Sequence, residues 1–227
     1  MLKFHKSEHQ WGCFVEPKIN LPDVLQGESK KAFGKKILFS SVTDCYQPVE
    51  KEFGITRGCL RILAECGCHV SVLTKSSLAA RDADLVPSFK SFTFGMSASY
   101  HDDRIRECFE VGTASIEERA KTLKLMKEAG AKTWLFVSPF LPGITNLEAI
   151  LEKFCGTVDS FSVEAINLYS STLKGLSSSI ARAGSNFESL KKKAKDPYYW
   201  EQAKLEAFET SKKIGLNLEE FYFHTGS

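Results

Sequence analysis

KILFSSVTDCYQPVE, residues 36–50, decides the fold. Lys36–Val42 is a continuous apolar run of strand length, and it stops on Thr43 and Asp44. A strand of this kind belongs in a parallel sheet covered by its crossover helices. The loop Ser40–Glu50 then offers hydroxyls, the Asp44 carboxylate, Tyr46, Gln47 and a second carboxylate, Glu50. Such a loop can hold an ammonium group or sugar hydroxyls. It can equally be a structural loop in which Asp44 caps the next turn.

The same unit recurs along the chain. Thr56–Cys66 carries Cys59, Ile62, Leu63 and Cys66 at helical spacing and stops at Gly67. His69–Leu73 is a strand followed by Thr74, Lys75 and Ser76. Phe92–Met96 is a strand followed by Ser97, Ala98 and Ser99. Ser115–Gly130 reads as a helix with a Ser115/Glu118 capping box, and Ile116, Ala120, Leu123 and Met126 lie on one face. Trp134–Val137 is a strand, Thr145–Phe154 a helix with a Thr145/Glu148 box, and Phe161–Ile166 the last strand. Strands buried on both faces and separated by helices predict an α/β fold with a parallel sheet of five strands. Small polar or charged residues gather at the C-terminal strand ends, where βα barrels bind ligands.

From Leu173 the pattern changes. Ser and Gly interrupt it, Lys191–Lys195 (KKKAK) is basic, and Asp196-Pro197 opens a helix, Tyr198–Ile214, with Trp200, Ala203 and Ala207 on one face. The chain thus divides into a core, residues 1–172, and a helical extension, residues 173–227.

Composition bounds the function. The 227 residues are 43% hydrophobic and 26% charged, which excludes disorder and a disulfide-dense scaffold. No apolar run approaches membrane-spanning length, and the N-terminus has no signal-peptide core, so the chain is expected to be cytoplasmic with no membrane partner. A net charge of +2 gives no electrostatic case for nucleic acid, and KKKAK reads as a solvated helix face. The seven cysteines are scattered, without a CxxxCxxC, and read as reduced thiols. Cys66 and Cys68 are too close together for a standard cluster pair, and the five histidines have no metal-ligand spacing, so no metal site is expected. No GxGxxG or P-loop is present, which sets aside a phosphate-handling βα enzyme. Lys75, at a strand end, is placed to pair with a carboxylate or phosphate. Arg81-Asp82 reads as a local ion pair, and Asp102–Glu110 with Glu118-Arg119 as a largely solvated, charge-rich stretch.

Read together, SSVTDCYQPVEK, TRGCLRIL, SVLTKSSLAARDADLV, FGMSAS, RIRECFEVGTASIEERAKTLKLMKEAG and FVSPFLPGITNLE resemble the spore photoproduct lyase-like, or DNA-repair-photolyase-like, branch of the radical SAM superfamily. The resemblance runs in order from His5 to Asn167, and HQWGCFVEPKIN resembles the segment just after the cluster loop of these proteins. It implies a partial (β/α)6 TIM-like barrel that holds a four-iron, four-sulfur cluster and S-adenosylmethionine at the C-terminal strand ends. Thr43 and Asp44 match the motif that holds the methionine amino group. Lys75 and Ser76 match the third-strand motif near the methionine carboxylate or ribose, and Ser97 and Ser99 match the fourth-strand motif. Glu110 and Arg119 match an E…R pair from which Arg119 reaches the carboxylate. Nucleic acid enters as a partner through the resemblance alone.

This chain departs from the branch in three ways. It lacks CxxxCxxC, so it is expected to begin after the cluster loop, with the first strand missing, and to be inactive without that loop. Cys45 and Val111 replace prolines of the branch motifs. Ser41 stands near the place where the lyase uses a hydrogen-donating cysteine, so repair of spore photoproduct is not expected. No catalytic residue is assigned. Two functions follow: a truncated radical SAM enzyme that cleaves S-adenosylmethionine reductively to a 5′-deoxyadenosyl radical, or a degenerate, non-catalytic βα scaffold that binds a nucleotide-like ligand or a partner protein.

Overall fold

The computed structural model describes residues 14–40, 42–168 and 170–223, with the backbone alone for 170–174. Ser41, His5, His9, Cys13 and His224 lie outside the described residues. In chain order the elements are α1 (Leu21–Ala32), β1 (Lys36–Phe39), α2 (Glu50–Phe53), α3 (Ile55–Glu65), β2 (His69–Thr74), a run of 3-10 turns (Ser77–Ser88), β3 (Ser91–Ser97), α4 (Asp103–Phe109) and α5 (Ile116–Glu128). There follow β4 (Lys132–Phe140), α6 (Leu147–Phe154), β5 (Ser160–Ala165), α7 (Ser170–Arg182), α8 (Phe187–Ala194), α9 (Pro197–Ile214) and β6 (Asn217–Tyr222). Among the described residues no helix is long and apolar enough to cross a membrane.

The strands form one six-stranded sheet in the order β1-β2-β3-β4-β5-β6, with every neighbouring pair parallel. Successive parallel neighbours joined by helices curve as a partial (β/α)6 barrel. The α/β fold and its parallel strands are as the sequence predicts, but the strand count is not. Asn217–Tyr222, which the sequence reading places in the helical tail, pairs with β5 as the sixth strand. A register shift between Phe161 and Ser162 accompanies this pairing. Phe221 points inward onto Phe140 and Trp200.

The core lies on one face of the sheet. Val70, Val72, Phe94, Leu135, Val137, Phe161 and Val163 are at most 2% exposed and meet Leu60, Leu63, Leu123, Ile150, Leu151 and Phe154 from the helices. Each such side chain contributes about 1.5–3 kcal/mol on burial. The opposite face corrects the expectation of burial on both sides. Ser71, Leu73, Thr93, Trp134, Phe136, Ser162 and Glu164 line an open concavity of about 750 Å³ there. β2 and most of β4 alternate between buried and less buried positions, and the alternation is masked in sequence because apolar Leu73, Trp134 and Phe136 occupy the open face.

The helices start where their caps dictate. Ser115 and Glu118 form the expected reciprocal box on α5. Asp196 caps α9, on which Trp200, Ala203, Ala207 and Ser211 are buried. The Thr145/Glu148 box does not form. The Thr145 hydroxyl accepts from Leu141 N at 2.9 Å and donates to Ser99 O at 3.2 Å, and Asn146 caps α6 through Ala149 N instead.

One close approach holds the sheet's open face. A Cβ added to Gly95 would lie 2.4–2.7 Å from Trp134 ring atoms. The indole therefore lies over the Gly95 backbone, and only glycine leaves it room. Gly95→Ala is expected to destabilise the fold by about 1–3 kcal/mol, as overpacking does. Adding Trp134→Phe should restore much of that loss in a thermal melt.

Candidate functional site

The C-terminal end of β1 is built by hydrogen bonds that its own motif supplies. Ser40 adopts φ 71°, a left-handed conformation that costs a non-glycine residue about 1 kcal/mol. Its Oγ accepts from Cys45 N at 2.8 Å. Asp44 Oδ1 accepts from Tyr46 N at 2.8 Å, forming the capped turn the sequence allows. The same carboxylate accepts from Thr74 Oγ1 at 2.7 and 2.8 Å and from Lys75 N at 2.8 Å. Asp44 thus fastens the β1 loop to the end of β2, yet no cation pairs with it among the described residues.

The rest of the motif ties that loop to the 3-10 turns. Tyr46 OH donates to Asp82 Oδ2 at 3.0 Å, and Asp82, 2% exposed, also receives Arg57 Nη1 at 2.7 Å and Arg81 Nε at 3.0 Å. Burial and the Asp82 charge push the Tyr46 phenol well above its ordinary range. Buried Glu50 accepts from Thr56 N at 2.9 Å and Arg57 N at 3.3 Å, placing a carboxylate at the N-terminus of α3. Arg81 Nη2 closes the network on Glu50 Oε1 at 2.7 Å. Arg81-Asp82 forms the local ion pair its spacing implies and is also tied into a partly buried network with Arg57 and Glu50.

Lys75 leaves the end of β2 and meets Glu110. Its Nζ lies 2.5 Å from Glu110 Oε1, with the Lys75 side chain 36% exposed and the Glu110 side chain 6% exposed. Glu110 Oε2 receives Arg119 Nη2 at 2.6 Å. Arg119 is 1% exposed; its remaining donors reach Ser97 O at 2.7 Å, Ala114 O at 3.0 Å and Thr113 Oγ1 at 2.8 Å. Burial alone would push the Glu110 carboxyl up, but Lys75 and Arg119 outweigh it and hold the group below its ordinary value. The stretch expected to be solvated is thus divided. Asp103 is half-buried and Glu107 exposed, whereas Arg106 and Glu110 are buried.

The eight predicted site residues separate on this geometry. Asp44, Lys75 and Ser76 line one cleft of about 560 Å³, together with Tyr46, Gln47 and Gly112. Ser76 Oγ accepts from Leu78 N at 3.3 Å and opens the 3-10 turns. Thr43 is exposed beside the cleft. Glu110 and Arg119 stand behind Lys75. Ser97 Oγ donates to Ser138 O at 3.2 Å, and Ser99 is fully buried with its Oγ unpartnered. Lys51, Thr113 and Glu118 also line the cleft, although the sequence reading did not place them there. The Gly112 turn that brings in Thr113 and Glu118, with φ 75°, is the signal that was available.

The described cysteines do not suit an iron–sulfur cluster. No group of three or more potential metal ligands gathers among the described residues. Cys59, Cys66 and Cys68 are buried, and Cys45, at the strand ends, has its thiol pushed up to about 12 by burial and the Asp44 charge. A cluster thiolate needs the opposite environment.

Solved structures of spore photoproduct lyase share this fold. A cysteine-to-serine mutant of that enzyme superposes with a TM-score of 0.66 at 11% identity, over 88% of this chain and 66% of that one. Another mutant structure, described as having bound AdoMet and dinucleoside spore photoproduct, superposes with a TM-score of 0.67 at 10% identity, over 89% and 67%. Among curated proteins, the uncharacterized protein MJ0683 of Methanocaldococcus jannaschii is 34% identical over 162 residues, which is 71% of this chain and 61% of that protein. The uncharacterized protein Mb2609c of Mycobacterium bovis is 24% identical over 166 residues, 71% of this chain and 49% of that one. The chain therefore spans about half to three-fifths of the length of these relatives. No family model matches it.

Proposed function

We propose that this chain is the S-adenosylmethionine-holding part of a radical SAM protein of the spore photoproduct lyase-like branch. One observation carries the reading. A carboxylate with no cationic partner among the described residues, Asp44, and an ammonium bonded to Glu110, Lys75, line the same cleft at adjacent strand ends. That is the charge pattern an α-amino acid requires, with Asp44 for its ammonium and Lys75 for its carboxylate. Ser76 and Gln47 are in reach of ribose hydroxyls. Glu110 and Arg119 act behind Lys75, fixing where its ammonium stands. When bound and reduced, S-adenosylmethionine supplies a 5′-deoxyadenosyl radical. The cluster that reduces it would need ligands from outside the described residues.

A second reading, a non-catalytic βα scaffold, is favoured by the dispersed cysteines. Equilibrium dialysis with labelled S-adenosylmethionine tests the first. Asp44→Asn should weaken binding about tenfold or more, the worth of one charge-assisted contact. L-methionine should compete where methioninol, which lacks the carboxylate, does not. Equal competition by the two would remove Lys75 from the site. The coding DNA upstream of Met1 separates the two readings: an in-frame CxxxCxxC supports an enzyme, and a stop codon in an intact gene supports the scaffold. Nucleic acid as substrate and a cytoplasmic location belong to this proposal as expectations of the branch.

A further inference from the structure

One wall of the cleft is a turn, and Gly112, Thr113 and Ala114 of that turn line it. Burial does not hold the turn in place. Val111, its bulkiest apolar side chain, is 78% exposed, and Gly112 takes φ 75°. Its polar bonds converge instead on Arg106, which is 5% exposed. Arg106 Nη1 donates to Glu110 O at 3.2 Å, Thr113 O at 3.1 Å and Thr113 Oγ1 at 3.2 Å. Arg106 Nε pairs with Asp103, and the same Asp103 oxygen accepts from Ile116 N, at the start of α5, at 3.2 Å. An arginine that only capped α4 would need no acceptor beyond the carbonyls of the last turn. Arg106 reaches past Phe109, the end of α4, to Thr113. Arg119 holds the other side of the same threonine.

We infer that Arg106 is a positioning residue of the cleft. It does not line the cleft and acts through the turn. It fixes Thr113 in the cleft wall, and it fixes the backbone from which Glu110 reaches Lys75. Through Asp103 it also ties α4 to the first turn of α5, where Glu118 lines the cleft. The task needs a guanidinium, because one fork of donors serves the turn and Asp103 together. A lysine would bring the charge without the fork. As a determinant of cofactor affinity, the assignment rests on the S-adenosylmethionine reading. As a determinant of the order of the turn, it stands on these bonds alone.

The test reads the turn and the cleft separately. The amides of Glu110, Thr113 and Ile116 are each hydrogen-bonded. Their hydrogen exchange, followed by NMR, should quicken about tenfold or more in Arg106→Ala. In equilibrium dialysis the same variant should bind S-adenosylmethionine about 2- to 30-fold more weakly, and Arg106→Lys should also bind more weakly. Methylguanidinium should restore both readouts in Arg106→Ala and change neither in the wild type. Gly95→Ala, which costs stability at a site outside the cleft, should leave the affinity unchanged below its melting temperature. A merely structural Arg106 would behave like Gly95→Ala, with a lower melting temperature and an unaltered affinity, and that result would overturn the inference. Unaltered exchange of the three amides would overturn it too. Should Arg106→Ala fail to fold, Arg106→Lys carries both readouts. If the wild type takes up no S-adenosylmethionine, the cofactor reading fails, and the exchange rates alone decide whether Arg106 orders the turn.

Discussion

Lys75→Met is expected to weaken S-adenosylmethionine binding by about 10- to 100-fold while leaving the fold intact. A charge-assisted hydrogen bond contributes about 1.5–3 kcal/mol, and each 1.4 kcal/mol is tenfold in affinity. Lys75 has one donor engaged by Glu110, and the residue lines the cleft. Its side chain is 36% exposed, so its ion pair is screened and adds little to stability. Lys75→Arg should recover part of the affinity by keeping the charge. A titration in which Lys75→Met binds as well as the wild type would show that the ammonium faces no ligand.

Arg119→Met is expected to lower the melting temperature by about 6–20 °C, the largest stability effect of any substitution at the site. Arg119 and Glu110 are 1% and 6% exposed in their side chains, and removing one partner of a buried pair costs about 3–5 kcal/mol. A chain of this length shifts by about 2–4 °C per kcal/mol. The double variant Arg119→Met, Glu110→Met should lose less than the sum of the two single variants, because it leaves no charge stranded. The pH dependence has a definite sign. Lys75 and Arg119 hold the folded Glu110 carboxyl below its ordinary value of 4.5. Its contribution is therefore complete above that value and is lost as pH falls through the lower folded value. Without Arg119 the carboxyl rises, so acid unfolding followed by circular dichroism should begin at higher pH in Arg119→Met. Identical acid transitions would remove the pair from the stability account.

The strands β1 to β5 were legible because each is an apolar run bounded by turn residues, and α5 and α9 because their caps are explicit. Asn217–Tyr222 was not. Glu219 and Glu220 interrupt its alternation, the bulge against β5 lets both face the open cavity, and only Phe221 is buried. Helix α1 was equally hidden, since it buries no residue fully. Asp44 and Lys75 could be read because they directly follow strands. The Lys75–Glu110–Arg119 relay could not, because it joins the ends of β2 and α4 to the first turns of α5 across 35 and 9 residues of sequence. The polar loop after β1 was read as ligand-facing, yet Tyr46 and Glu50 bind the 3-10 turns and Asp44 binds the end of β2. A string of residues records which donors are present but not which acceptors the fold places opposite them.

The most direct test of the central claim is a calorimetric titration of S-adenosylmethionine into the wild-type chain. The account predicts saturable binding at one site that is abolished by combining Asp44→Asn with Lys75→Met. A flat titration of correctly folded protein, or binding unchanged in that double variant, would contradict it.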